Sequence, residues 1–85
     1  MVKIGEAFRA TDRLELVSTW KVIGIDQEKY HLVAIGETLT RCEADYHLLK
    51  RIRPESTQWA DCCTIKVNEE WFQLRKIEIL KEEEI

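Results

Sequence analysis

Cys42, His47, Cys62 and Cys63 are the side chains of this chain best suited to chemistry. Thiolate and imidazole are ligands that tetrahedral zinc accepts, and a thiol beside an imidazole is the starting material of a cysteine nucleophile. The spacing argues against both. Structural zinc sites bring in their ligands as closely spaced Cys or His pairs on turns, so that both side chains reach one ion. Cys62 and Cys63 are adjacent, and adjacent residues of a strand point to opposite faces. Cys42 falls in what reads as the first turn of a helix, where the helix dipole lowers a thiol pKa. His47 lies five residues on, poorly aligned to act as its base, and no third orienting residue or oxyanion device accompanies the pair. The acids Glu43 and Asp45, Glu69 and Glu70, and Glu82 to Glu84 read as solvated charge. Gly5, Gly24 and Gly36 stand apart and make no phosphate loop. The residues predict no catalytic, cofactor-binding or metal-binding site, and no enzyme.

A second set of residues suits recognition. Lys50, Arg51 and Arg53 precede Trp59; Arg9, Arg13 and Lys21 flank Trp20; Arg75 and Lys76 follow Trp71 and Phe72. Small barrels bind single strands by stacking bases on exposed aromatics beside a cationic groove. The alternative places Trp20 in the core and Trp71 over it, with a basic helix end that answers the helix dipole. Trp, Tyr and Arg are also the usual anchors of protein interfaces, and the chain holds three Trp and two Tyr. Trp59, in the loop after Pro54, is the best single anchor. With Lys50, Arg51, Arg53 and Trp71 it completes the candidate partner-binding set. The favoured partner is another protein or a second copy of the chain, with nucleic acid as the runner-up. An exposed edge strand near residue 80 offers a further route to pairing or homodimerisation.

Composition agrees with a binding module. Eighty-five residues make one domain, expected over 1–81, with an acidic, frayed tail at 82–85. Hydrophobic residues make up 45% and charged residues 34%, which excludes disorder over most of the length. The net charge of −3 lacks the basic surplus of a dedicated nucleic-acid binder. It is uneven: residues 1–53 carry +1, and residues 54–85 carry −4. No apolar run approaches a membrane span, and Met1-Val-Lys-Ile-Gly-Glu has no secretory apolar region. Three cysteines are an odd count that makes no disulfide framework. Reduced thiols in the cytoplasm are the expectation, with no membrane partner.

The elements that must position these residues follow from periodicity. Glu6 to Ala10 reads as a first strand, with Thr11-Asp12-Arg13 as turn chemistry. From Leu14 to Ile25 the even positions Leu14, Leu16, Trp20 and Val22 give an apolar face at period two. Tyr30 to Ile35 is its partner across a turn at Asp26-Gln27-Glu28-Lys29, and Gly24 and Gly36 mark bulges or bends. Thr40-Arg-Cys-Glu43 has capping-box spacing. Ala44, Leu48 and Ile52 recur every four residues, and Pro54 blocks continuation, so a helix is predicted over 41–52. Residues 55–58 read as a loop, 61–67 as a strand, 68–70 as a turn and 71–80 as a last strand that a helix would also fit. The fold class is α+β: a small twisted antiparallel sheet of about five strands, open or closed as an SH3-like barrel, with one helix. Phe8, Leu16, Trp20, Val22, Leu32, Leu48, Ile52 and Ile65 are the expected core.

Gly5-Glu-Ala-Phe-Arg, Trp20-Lys-Val-Ile-Gly-Ile-Asp, Tyr30-His-Leu-Val and Leu48-Leu-Lys-Arg-Ile-Arg-Pro54 together resemble small SH3-like barrel proteins of bacteria and phages over about residues 4–54. The resemblance implies a non-enzymatic module. Such modules are often phage or mobile-element accessory proteins that bind a host protein, such as a defence nuclease to be inhibited, or a nucleic acid. It carries over no functional residue.

Overall fold

A computed structural model of the chain describes residues 2–81. The two-residue periodicity produces three consecutive strands: β1 (Ala7–Thr11), β2 (Val17–Asp26) and β3 (Lys29–Ala34). They are followed by α1 (Gly36–Ile52), α2 (Trp59–Cys63), β4 (Thr64–Val67), α3 (Glu69–Gln73) and β5 (Lys76–Leu80). All five strands join one antiparallel sheet in the order β4-β3-β2-β1-β5. The sheet is open, with β4 and β5 as its two edges, and does not close as a barrel. No helix among the described residues is long and apolar enough to cross a membrane. The expected tail at 82–85 lies outside the described residues.

Register divides the sheet into two faces. Phe8 stands opposite Trp20, Trp20 opposite Ala34, Val22 opposite Leu32, and Leu32 opposite Ile65. This first face is the core, joined by Val2, Ala10, Val67 and Phe72, with Leu39, Cys42 and Trp71 packed on it from the helices. The second face carries Arg9, Thr19, Lys21, His31, Val33, Lys66, Lys76 and Glu78, and the start of α1 borders it at a recess lined by Arg9, Thr19, Glu37, Thr38 and Leu80. A bulge between Val22 and Gly24 keeps β2 in register with β3, at the position where the sequence placed a bend. The hairpin closes on Gln27 and Glu28, whose φ values of 49° and 66° are those of a tight primed turn.

Several expectations are corrected. Residues 14–16 precede β2, and Leu16 is 63% exposed, because the Asp12 carboxylate holds this turn open by accepting from Leu14 N and Leu16 N. The helix begins at Gly36, not Arg41. Gly36, at φ 59°, turns the chain directly out of β3. Thr40 is therefore inside the helix, where its hydroxyl donates to the Gly36 carbonyl instead of capping. Leu39 and Cys42 face the core, and Leu48, nine residues beyond Leu39 at about 100° each, points the opposite way. Leu48 and Ile52 are accordingly 57% and 67% exposed, so neither is core. Phe8, Trp20, Val22 and Leu32 are buried as expected, and Ile65 is half-buried against them. Residues 59–63 form a short helix where a strand was expected from residue 61, and residues 69–73 form another that carries Trp71 and Phe72.

Candidate functional site

The five residues singled out for binding do not form one surface. Lys50, Arg51 and Arg53 are exposed at the end of α1, with Lys50 Nζ 5.5 Å from the Tyr46 ring centroid. Trp59 opens α2 and donates its indole N–H to Glu43 Oε2 at 3.0 Å, which ties α2 to α1 and uses the polar end of the side chain. Trp71 belongs elsewhere. It lies in an aromatic cluster on the core face, edge-on to Phe8 at 6.1 Å and to Trp20 at 6.5 Å.

Around Trp71 the chain builds a groove of about 300 Å³, floored by Trp20, Ile65 and Trp71 and walled by Leu16, Val17 and Ser18. Each part has a local cause. Asn68 caps α3 by accepting from Trp71 N at 3.3 Å, which sets the indole over the sheet. Arg75 follows the helix, donates to the Trp71 carbonyl at 3.0 Å and stacks its guanidinium 4.2 Å from the Trp71 ring centroid. From the other side, Arg41 of α1 donates to the Val17 carbonyl, and the Thr38 hydroxyl accepts from Thr19 N, so the start of α1 is pinned to β2. Ser18 accepts from the Trp20 indole N–H at 2.8 Å, which satisfies that buried donor.

A smaller recess of about 180 Å³, lined by Asp12, Arg13, Leu14, Leu74 and Arg75, shares Asp12 and Arg75 with the groove. The two make one apolar surface. Leu14, Leu16, Val17 and Leu74 are all exposed there, and Leu14 is 80% so. Arg13, Arg41 and Arg75 stand around it. Its acid, Asp12, is occupied by the two backbone amides of its own turn. The surface is therefore greasy in the middle and cationic at the rim. Sequence reasoning identified Trp71 and noted Arg13 and Arg75 near tryptophans, but missed Arg41, Leu14, Leu16 and Leu74. The signal for Leu14 and Leu16 was the Asp12 turn, whose side chain fixes the following residues outside the strand.

The thiols gather between α1 and α2. Burial pushes the Cys42 and Cys63 thiols above their ordinary value, and proximity to another cysteine adds to the rise in each. Raised thiols are protonated near neutral pH and are weak nucleophiles and ligands. His47 is exposed beside Tyr46. Among the described residues no group of three or more His, Cys, Asp or Glu is arranged to hold a metal ion. No protein-family model matches the chain, and no curated protein or solved structure matches it either.

Proposed function

We propose that this chain is a small non-enzymatic, cytoplasmic binding module that grips another protein through the Trp20–Trp71 groove. The observation that carries the reading is the clustering of four exposed aliphatic side chains, Leu14, Leu16, Val17 and Leu74, around a half-buried tryptophan. Scattered apolar residues are normal on a surface, but a contiguous patch centred on Trp and rimmed by Arg has the anatomy of an interface. Water is excluded by the leucines, the indole supplies area at low entropic cost, and the arginines choose the partner's charge. The partner segment presents an apolar anchor beside Asp or Glu. An adaptor, or an accessory protein that inhibits a host protein by occupying it, would work through a surface of this kind.

A displayed library of random peptides sorted against the protein tests the reading. Enriched peptides are expected to carry an aromatic or aliphatic anchor flanked by acids, and Leu16→Glu or Arg41→Glu is expected to weaken them at least tenfold with the fold intact. Enrichment of basic peptides, or affinity indifferent to both substitutions, would sink it.

A further inference from the structure

We propose that the basic face of the sheet, opposite its aromatic core, binds the phosphate backbone of a double-stranded nucleic acid. The register places Lys66 opposite His31, Lys21 opposite Val33 and Ala7, Arg9 opposite Glu78, and Lys76 opposite Thr11, all on the face opposite Phe8, Trp20 and Leu32. Among the described residues the strands bring two acids to that face, each opposite a cation, and Glu37 of α1 borders it beside Arg9. Glu78 accepts from Arg9 at 2.6 Å, and Asp26 faces Lys29 at the end of the hairpin. Lys21, Lys66 and Lys76 are left exposed and unopposed by any cross-strand acid. The chain as a whole is at −3, yet the described strand residues of this face sum to about +3, and to about +2 with Glu37 at its border. Screening acts over about 8–10 Å near physiological salt, so a polyanion lying on the sheet responds to the face and not to the molecular net charge.

The chemistry between the lysines selects the kind of polyanion. The face holds no Trp, Tyr or Phe, since Phe8, Trp20 and Tyr30 lie on the opposite face and Tyr46, Trp59, Trp71 and Phe72 lie on helices. Nothing there can stack an unpaired base, which removes the main source of single-strand affinity. Threonines and Val33 stand among the lysines on a β-branched surface. Five strands at about 4.8 Å spacing span roughly 19 Å, a width comparable to a duplex. Such a face reads charge and shape without reading sequence. It adjoins the Trp20–Trp71 groove at Val17 and does not rest on the function assigned to that groove.

Fluorescence anisotropy of a labelled 20-base-pair DNA duplex of mixed sequence tests the proposal. Three neutralised phosphates give a log–log salt slope of about −2.7, so affinity is expected to fall about 40-fold between 50 and 200 mM salt. Each of Lys21→Gln, Lys66→Gln and Lys76→Gln is expected to lower the slope by about 0.9 while circular dichroism and melting stay unchanged. Leu16→Glu, in the groove, is expected to leave duplex binding as it was. Three results would overturn the proposal: no binding at low salt, binding that survives the triple lysine variant but is lost on neutralising Lys50, Arg51 and Arg53, or tighter binding of a single strand or a polyaspartate peptide than of the duplex.

Discussion

Leu32→Ala and Leu48→Ala are the same chemical change at two positions that the sequence treats alike and the structure separates. Leu32 is fully buried at the centre of the sheet, between Val22 and Ile65. Removing its side chain forfeits transfer energy and leaves a cavity, for about 2–5 kcal/mol. Leu48 is more than half exposed on the outer side of α1. It forfeits under half of the roughly 1.5–3 kcal/mol that full burial of such a side chain contributes. Alanine's helix propensity offsets part of that, leaving about 0.5 kcal/mol. The whole domain has about 4–13 kcal/mol to lose, at 0.05–0.15 kcal/mol per residue. In urea, with a slope of about 1 kcal/mol/M, Leu32→Ala is expected to lower the midpoint by 2 M or more, and Leu48→Ala by about 0.5 M. A Leu48 cost above 2 kcal/mol, or one equal to that of Leu32, would return the 44/48/52 stripe to the core and refute the placement of α1.

Three further outcomes follow from local geometry. Replacing Gln27-Glu28 by Asn-Gly is expected to stabilise the domain by about 1–2 kcal/mol, because both residues sit at positive φ in an exposed turn; an unchanged melting temperature would contradict the turn geometry. Trp59→Ala is expected to cost about 1 kcal/mol by releasing its bond to Glu43, and to leave peptide binding unaltered in the display assay; loss of binding would move the interface to α2. The raised Cys42 and Cys63 thiols favour the folded state while neutral, so their contribution is complete below the ordinary thiol pKa of 9.0 and is lost as pH rises through the folded values. Stability is expected to decline above about pH 9, and less steeply in a Cys42→Ala, Cys63→Ala variant; parallel pH curves would exclude thiol desolvation as the cause.

The hairpin was legible because alternation, turn length and β-branching agree over residues 17–34, and Phe8, Trp20, Val22 and Leu32 could be assigned to the core from it. The helix was legible in type but not in phase. A spacing of four advances about 40° per step beyond one turn, so Ala44, Leu48 and Ile52 make a drifting stripe that fits either side of α1. Only the tertiary contacts of Leu39 and Cys42 show which side meets the sheet. The short helices were hidden because five residues, about one and a half turns, give too little periodicity to count. Asn68 followed by two acids was the one cap signal, and it read equally well as a turn. The groove was illegible for a topological reason. It joins the second turn of α1 to the β1–β2 turn and to α3, residues up to 63 positions apart that no local pattern connects. The basic face was hidden likewise, since it depends on a strand order that places β5 beside β1.

The three indole N–H signals in a two-dimensional ¹⁵N NMR spectrum offer the most direct test of the groove. On titration with an acidic, apolar peptide recovered by display, Trp20 and Trp71 are predicted to shift together with the amides of Leu16, Val17 and Arg75, while Trp59 stays in place. Shifts confined to Trp59 and residues 48–53, with Trp20 and Trp71 unmoved, would contradict the account.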